Sequence, residues 1–459
     1  MTHELPRTNA PRLIFHGGLA AVFAIVLAAF AGQARAATDI QVVTSASGIE
    51  AWLIQDQTLP IITMQFSFEG GSSTDPIGKE GRAVLLSALF DEGAGDLSSE
   101  EFQEALANNS IGFGFNSNRD RFIGTLRTLS DTRDTAFALL ALALSEPRFD
   151  DEPVERLRAQ LVSAARQRAF QPAHIATRLA GDAIFGDHPY GRPSEGTVAS
   201  LEALTADDAR GAYEAIIRRT GLKIAVVGDI TAEDLAPLLD DVFATLPETD
   251  IPVGTEYIRP RLGDVITHDV ETPQTVIRLV NQGIRRDDPD YIPAIVMNYI
   301  LGGGSFSSRY FQEIREKRGL TYGASSSHVT LDSTSLLISG LLTRTETADE
   351  ALAVLQDEIR RMAENGPTAA ELQAAKDFLI GSYALRFDTS GSIAGQLLGV
   401  QVQDLGIDYF QRRNSLIEAV TLEDVSRAAE RTLGFGDPTV VLVGTNASAI
   451  TVNEDKSTE

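Results

Sequence analysis

The sequence predicts an α+β protein made of two similar halves. Apolar residues alternate in some segments, as in strands, and recur at helical spacing in others, along most of the 459 residues. The pattern of residues 205–228, a helix followed by a strand that ends in glycine, returns over residues 421–444. Residues 98–104 likewise correspond to residues 307–313, and the offsets of 209 and 216 differ by one small insertion. A repeat of this length indicates gene duplication and is distinct from the short repeats of solenoid proteins.

The elements of the first half follow in a regular order. A buried helix is expected over residues 81–89, and the alternation of residues 111–119 and 121–129 predicts a hairpin. The helix over residues 153–169 is expected to present an exposed basic face formed by Arg156, Arg158, Arg166 and Arg168. The remaining predictions are strands over residues 40–56, 61–68 and 222–227, and helices over residues 98–106, 131–144 and 231–246.

Residues 250–264 are rich in proline, glycine and charged residues, and this composition predicts an inter-domain linker. The linker divides the chain into an N-terminal domain of residues 37–249 and a C-terminal domain of residues 265–459. Two halves joined by a linker form a cleft between them. Such clefts are the usual place for a ligand.

The N-terminal residues have the pattern of a secretory signal peptide. Arg7 and Arg12 precede an apolar run from Leu19 to Phe30, and Ala34-Arg35-Ala36 follows as a small-residue cleavage site. Residues 1–36 are therefore predicted to direct the protein to the periplasm or out of the cell, with no membrane segment after cleavage. An uncleaved anchor is the alternative, although the run is shorter than the roughly 20 apolar residues that a span needs.

Composition excludes several classes of function. The formal net charge of −25 argues against nucleic acid, because phosphates require a basic surface. The chain has no cysteine, so it can use neither a thiol nucleophile nor a thiolate metal site. Its fold must be held by its core and not by disulfides.

Residues 301–323 are the most informative stretch and predict a loop, a helix and the start of a strand. Gly302, Gly303 and Gly304 are expected to form the loop, because glycine permits backbone angles that other residues resist. Ser305 is predicted to cap the helix, and Gly319 to end it. The helix would carry Phe306, Tyr310, Phe311 and Ile314 at apolar positions, with Lys317 and Arg318 at its C-terminus.

Arg315 and Tyr322 are the candidate site residues in this stretch. A helix end that runs directly into a strand can place these two side chains next to each other. The alternative is structural: Arg315 would be a cation at a helix C-terminus, and Tyr322 an aromatic residue in a strand.

These motifs resemble the C-terminal half of the insulinase/pitrilysin family, zinc peptidases with an inverted H-x-x-E-H motif. The matching runs are G-G-G-x-x-S-S-R-x-F and R-E-x-R-G-L-x-Y. The resemblance implies two metallohydrolase-like α/β sandwich halves that form a clamshell. It also implies that Arg315 and Tyr322 bind the backbone of a peptide substrate, together with the loop of Gly302, Gly303 and Gly304.

The zinc site of that family is not matched in the sequence. By register, the two histidines and the glutamate of H-x-x-E-H fall at Val84, Ala88 and Ser87, and the third ligand falls at Ala164. Zinc requires deprotonated nitrogen, oxygen or sulfur donors, so these four positions predict no catalytic residue and no metal in this chain. A site built from His174 and His188 is the alternative, but His174, His188, His268 and His328 are interpreted as loop and surface histidines.

The resemblance implies a non-catalytic, substrate-clamping subunit of a secreted heterodimeric zinc metallopeptidase. The chain would be inactive alone, and zinc would be bound by a paralogous partner subunit that carries H-x-x-E-H. The alternative is a scaffold or peptide-binding protein with the same fold and no proteolytic role, like the core subunits of the respiratory complex that share it. An autonomous hydrolase with an unrecognised site is the third reading, and neither G-x-S-x-G nor a P-loop motif is present to support it.

Overall fold

The computed structural model describes residues 39–249, 256–434 and 436–450. The first half of the chain forms a six-stranded sheet in the order β1-β2-β6-β3-β5-β4. Its strands are β1 (Gln41–Thr44), β2 (Glu50–Gln55), β3 (Ile61–Glu69), β4 (Gly112–Ser117), β5 (Arg121–Leu129) and β6 (Lys223–Gly228). Strands β2 and β6 are parallel, and the other neighbours are antiparallel.

The second half repeats this sheet without its first strand. The order is β7-β11-β8-β10-β9, with β7 and β11 parallel and the other neighbours antiparallel. These strands are β7 (Val265–Asp269), β8 (Gln274–Gln282), β9 (Thr321–Leu331), β10 (Thr334–Arg344) and β11 (Thr439–Gly444). The two sheets therefore share strand order and pairing directions, which confirms the predicted duplicated α+β fold.

The helices also recur in the two halves. The first half contains α1 (Arg82–Ser87), α2 (Ser99–Asn108), α3 (Arg133–Ser145), α4 (Asp151–Arg168), α5 (Pro172–Phe185), α6 (Val198–Glu202), α7 (Ala206–Ile216) and α8 (Ala232–Phe243). The second half contains α9 (Tyr291–Asn298), α10 (Ala348–Asn365), α11 (Ala369–Gly381), α12 (Ser390–Val402), α13 (Tyr409–Glu418) and α14 (Leu422–Leu433). Two π-helical segments, Tyr299–Gly303 and Phe311–Glu316, lie between α9 and β9.

The repeat extends to individual hydrogen bonds. Thr205 caps α7 and Thr421 caps α14, and each side chain accepts a hydrogen bond from the amide of the aspartate three residues later. Those aspartates, Asp208 and Asp424, accept in return from the threonine amides at 2.9 Å in both halves. Each box satisfies amides that a helix N-terminus leaves unpaired.

The two halves are joined by helices that they exchange. Helix α5 belongs to the first half by sequence, yet it packs on the second sheet, where Ile184 and Ala176 lie in one cluster with Val443. Helix α12 of the second half packs in turn on the first sheet, where Leu397 lies in one cluster with Trp52. Each sheet is therefore covered in part by a helix from the other half of the chain.

One local prediction of the first half is wrong, and another needs a qualification. Residues 40–56 form two strands, because Gly48 takes a φ of +80° and turns the chain between β1 and β2. The arginines of α4 are exposed or half-buried, as predicted, but their charges are paired, because each lies within ion-pair distance of a glutamate. The partners of Arg156, Arg158, Arg166 and Arg168 are Glu92, Glu155, Glu202 and Glu195, in that order.

The predicted signal peptide of residues 1–36 lies outside the described residues, as do residues 250–255 of the predicted linker. Within the ranges that the structure describes, no helix combines the length and the apolar character that crossing a membrane requires. The domain boundaries of 37–249 and 265–459 stay a prediction.

Candidate functional site

The loop and helix before β9 differ from their predicted form. Ser305 does not cap the helix; it takes a φ of +48° inside a short 3-10 turn. Ser308 acts as the cap, because its Oγ accepts a hydrogen bond from the Phe311 amide at 3.3 Å. The helix continues as a π-helix and ends at Gly319, whose φ of +63° suits glycine as predicted. Single π-helical turns are rare and often occur at functional sites.

Gly302, Gly303 and Gly304 are required for close packing and not for unusual backbone angles. None of the three is among the glycines with a positive φ in the described structure. A Cβ on Gly302 would lie 2.4 Å from the Tyr310 ring and 2.5 Å from the amide nitrogen of Ser326. Comparable contacts occur at the other two glycines. The glycine loop is therefore where it was predicted, but its physical reason is close packing: Gly302 approaches β9, and Gly303 and Gly304 pack against Asn298 and Tyr299.

Replacing Gly302 with alanine should destabilise the protein by about 1–3 kcal/mol, the usual range for overpacking. The added methyl group meets the backbone of β9, which cannot move without disturbing its pairing with β10. Chemical denaturation would measure the change. Gly323→Ala is the matched control, because a Cβ there meets nothing within 4 Å. Equal stability of the two variants would contradict the packing role.

Arg309 anchors the helix to the core of the second half. Its Nε and Nη2 donate to the two carboxylate oxygens of Glu371 at 2.7 and 2.9 Å, and Nη2 also donates to the carbonyl of Gly366. Burial alone would raise the pKa of Glu371, but the bonds from Arg309 and Thr368 lower that pKa to about 2. The arginine of the S-S-R run is thus committed to holding the loop in position.

Arg315 and Tyr322 line one cavity of about 650 Å³ between the glycine loop and β9. The Arg315 guanidinium lies 4.6 Å from the centre of the Phe311 ring, and its Nη1 is 3.7 Å from a carboxylate oxygen of Glu316. The Tyr322 side chain is 90% exposed. Both residues line the same cavity, and their role as a pair that binds substrate stays a prediction.

The charges at the end of this helix show which arginine is structural. Lys317 and Arg318 both pair with the Glu313 carboxylate, at 2.6 and 2.9 Å. Arg318 also donates to the Glu313 carbonyl at 2.7 Å. Lys317 and Arg318 are thus the cations that stabilise the C-terminus of this helix. Arg315 is not needed for that structural role.

The cavity is lined by Phe306 and by residues that sequence reasoning did not single out. Phe306 was predicted at an apolar position of the helix, but it lies before the helix, in the 3-10 turn Ser305–Ser307. Phe306 contacts Phe311 edge-on at 4.8 Å between ring centres, and it is 71% exposed. Ser325, Ser326 and Ser327 of β9 line the opposite side. This run of small residues inside a strand is the signal that could have revealed them, because it marks a place where another backbone approaches closely.

The chemical character of the cavity favours binding. The lining residues in the described part of the chain provide a guanidinium, a phenol, hydroxyl groups and aromatic rings, but neither a carboxylate nor an imidazole. Carboxylates and imidazoles are the groups that general acid–base catalysis commonly uses, with a pKa tuned toward the working pH. A guanidinium donates strong hydrogen bonds to carbonyl oxygens, and β9 is an edge strand with a neighbour on one side only.

The positions aligned with the zinc ligands lie on two helices. Val84, Ser87 and Ala88 are half-buried on or beside α1, and Ala164 is half-buried on α4, which packs against α1. The Ser87 Oγ donates to the Val84 carbonyl at 2.7 Å. Among the described residues, no group of three His, Asp or Glu side chains is placed to hold a metal ion. The assignment of these four positions to the family's zinc site stays a prediction.

The histidines are mostly not in loops, which corrects the sequence interpretation. His174 lies in α5, His268 in β7 and His328 in β9. His188 caps a short 3-10 helix, where its Nδ1 accepts from the Tyr190 amide at 3.2 Å. The His328 Nε2 accepts from the Ile284 amide at 3.0 Å. Two of the four side chains thus hold backbone groups in place.

His328 should make the protein less stable as the pH falls from 6.5 to about 4, against the opposite contribution of Asp75, whose pKa burial raises to about 6. Burial and then the charge of Arg286 lower the pKa of His328 from 6.5 to about 4. In this window the unfolded chain binds a proton at His328 that the folded chain does not, so this contribution to the free energy of unfolding decreases as the pH falls. The loss is at most about 3 kcal/mol. Chemical denaturation across this pH range should show a smaller loss of unfolding free energy for His328→Gln than for the parent. His268→Gln, at an exposed position, is the control and should behave as the parent. Identical profiles for the parent and both variants would contradict the assignment to His328.

Comparison with known proteins bears on this arrangement. The sequence model of one protein family, described as the Peptidase M16 inactive domain, matches residues 203–379 of this chain. The non-peptidase homolog YmxG of Helicobacter pylori is 23% identical over 399 residues, which cover 85% of this chain and 90% of the relative. An uncharacterized zinc protease of Streptomyces coelicolor is 27% identical over 319 residues, 67% of this chain and 68% of the relative.

Solved structures similar to this chain include a protein of the same M16 type as the matching family model. A peptidase M16 inactive domain from Pseudomonas fluorescens superimposes with a TM-score of 0.83 at 28% identity, over 91% of this chain and 99% of that one. A protease from Helicobacter pylori gives a TM-score of 0.80 at 18% identity, over 89% of this chain and 99% of that one, which shows the shared fold.

Proposed function

The chain belongs to the insulinase/pitrilysin (M16) family as a non-catalytic member, and from this premise we propose that it is the substrate-clamping subunit of a heterodimeric zinc metallopeptidase. The observation that carries the proposal is the cavity in which Arg315 and Tyr322 meet beside the glycine loop. A paralogous partner subunit with H-x-x-E-H would supply the zinc and the general base.

The clamp acts through hydrogen bonds to the peptide backbone. The Arg315 guanidinium lies over the Phe311 ring, which orients it, and within the described part of the chain it forms no close ion pair that would occupy its N–H donors. It would donate to a carbonyl oxygen of the peptide, and the Tyr322 hydroxyl would donate to a neighbouring one. Donors placed near a reacting carbonyl also stabilise the negative charge that develops on it.

The surroundings of the clamp support an extended peptide as the ligand. Strand β9 forms the edge of its sheet, and its segment Ser325–Ser327 lines the same cavity. Extended peptides bind edge strands through main-chain hydrogen bonds. Exposed Phe306 would then contact an apolar side chain of the peptide.

The proposal includes export from the cytoplasm, to the periplasm or the medium. Its basis is the signal pattern of residues 1–36, where Arg7 and Arg12 precede the apolar run and Ala34-Arg35-Ala36 follows. N-terminal sequencing of the protein recovered from the periplasm would test it: a start at Ala37 supports export, and an intact N-terminus in the cytoplasm contradicts it.

Peptide cleavage by the purified chain, by the H-x-x-E-H partner and by their mixture would test the division of labour. Bound zinc should be quantified in each sample. We expect no cleavage by this chain alone, strong cleavage by the mixture, and zinc only with the partner. Zinc-dependent cleavage by this chain alone would refute the non-catalytic role. A stable but inactive complex would favour the scaffold alternative.

A further inference from the structure

A second cavity, of about 900 Å³, lies between the two halves and is rich in arginine. Arg119 and Arg121 reach it from the hairpin of β4 and β5, and Arg285 and Arg286 reach it from the segment after β8. Four guanidinium groups around one cavity are unexpected in a chain with a net charge of −25. The cavity lies apart from the Arg315 and Tyr322 site and has no lining residue in common with it.

Two of these arginines are already neutralised. The Arg121 Nη1 lies 2.5 Å from a carboxylate oxygen of Asp332. Arg285 donates through Nε and Nη2 to both carboxylate oxygens of Asp287, each at 2.9 Å, and stacks on Tyr257. Their charges are satisfied within the protein.

Arg119 and Arg286 have no such partner. Among the described residues neither lies within ion-pair distance of a carboxylate. The Arg119 Nη1 donates only to the Arg192 carbonyl at 3.2 Å, and burial lowers the pKa of Arg119. The Arg286 guanidinium lies 4.2 Å from the Tyr291 ring centre and 5.3 Å from that of Tyr409, and its buried Nε has no hydrogen-bond partner. A buried donor left unpaired is costly, which suggests a ligand that completes it.

Of the two remaining acidic residues of the cavity, Asp120 partly compensates Arg119, because its charge acts to raise the pKa of Arg119 against the lowering effect of burial. The Asp120 carboxylate accepts from the Tyr190 hydroxyl at 2.6 Å and from the Asp332 amide at 3.1 Å. Asp404 lies 3.3 Å from the Lys223 ammonium. The charge left without a carboxylate among the described lining residues is therefore that of Arg286, while Arg119 keeps guanidinium nitrogens free to donate to a ligand.

We propose that this cavity binds a small oxyanion, a phosphate or carboxylate compound, held between Arg119 of the first half and Arg286 of the second half. Planar guanidinium groups suit the two-point recognition of phosphate and carboxylate oxygens. Because each half contributes one arginine, the bound anion would link the halves and stabilise their packing. This inference does not depend on the proposed peptidase partner.

Calorimetric titration with sodium pyrophosphate, with sodium succinate in a parallel experiment, would test the proposal. Thermal unfolding should be followed in the same solutions, with sodium chloride at equal ionic strength as the reference. We expect one binding site and a higher Tm with at least one of the two compounds, and the stronger of them identifies the source as phosphate or carboxylate. Arg119→Gln and Arg286→Gln should each weaken binding at least about tenfold, as expected for a lost charged hydrogen bond.

Arg344→Gln is the matched control, because Arg344 is exposed and lies outside the cavity. Arg286→Lys keeps the charge but not the planar fork and should bind with intermediate affinity. If Arg286→Gln fails to fold, Arg119→Gln decides the question. No heat or Tm change beyond that of sodium chloride would overturn the proposal, as would binding that neither glutamine variant weakens.

Discussion

Replacing Arg315 with alanine should lower kcat/KM of the assembled peptidase pair about 10- to 100-fold. A charged donor to a carbonyl contributes about 1.5–3 kcal/mol, and about 1.4 kcal/mol corresponds to a factor of ten. Assembly of the pair should persist, because among the described residues the Arg315 guanidinium makes only a ring contact with Phe311 and a distant contact with Glu316. Steady-state kinetics on a quenched-fluorescent peptide, with size-exclusion chromatography of the same sample, would measure both properties.

The control for this change is Arg318→Ala, which removes an arginine three residues away on the same helix end. Arg318 binds the Glu313 carboxylate and carbonyl and does not line the cavity. Its loss should leave turnover within about a factor of two of the parent, since surface ion pairs contribute about 0–1 kcal/mol. Unchanged turnover in a fully assembled Arg315→Ala pair would refute the clamp.

Replacing Leu397 with alanine should lower the free energy of unfolding by about 2–5 kcal/mol, the range for a buried leucine. Leu397 lies on α12 of the second half but is fully buried against the first sheet, in one cluster with Trp52 and Val227. Its truncation leaves a cavity at the exchanged packing that joins the halves. Urea denaturation would measure the loss.

Leu385→Ala serves as the comparison, because Leu385 is 76% exposed. An exposed substitution away from special features usually changes stability by less than about 0.5 kcal/mol. If the two leucine variants lost the same small amount, the packing of α12 on the first sheet would not support the fold.

The duplicated fold was accessible from the sequence because its signals are local. Apolar periodicity marks the strands and helices, and the threonine caps at Thr205 and Thr421 recur in both halves with aspartates at the same spacing. The turn at Gly48 was missed because residues 40–56 were interpreted as one strand, and a positive φ at one glycine interrupts it. The exchange of α5 and α12 depends on which apolar face meets which sheet, and periodicity alone does not specify a partner.

The position of the candidate site could be predicted from the sequence, but the contacts that shape it could not. Arg315 and Tyr322 are seven residues apart across a helix end, so local geometry is enough to place them at one cavity. The close approach of Gly302 to Ser326 is a tertiary contact, and so the reason for the glycines was misjudged. The cavity of Arg119 and Arg286 draws on segments far apart in sequence, and no local pattern connects them.

The most direct measurement for the clamp is photo-crosslinking from position 322. A benzophenone amino acid introduced by Tyr322→p-benzoylphenylalanine would face the cavity without disturbing the core, because the native side chain is 90% exposed. The chain would be assembled with a partner whose H-x-x-E-H glutamate is replaced by glutamine, so that a labelled peptide binds without being cleaved. We predict a crosslink that unlabelled peptide suppresses and that the same probe at Leu385 does not form. No crosslink from position 322 in the assembled pair, or equal crosslinking from both positions, would contradict the assignment of Arg315 and Tyr322 to the peptide.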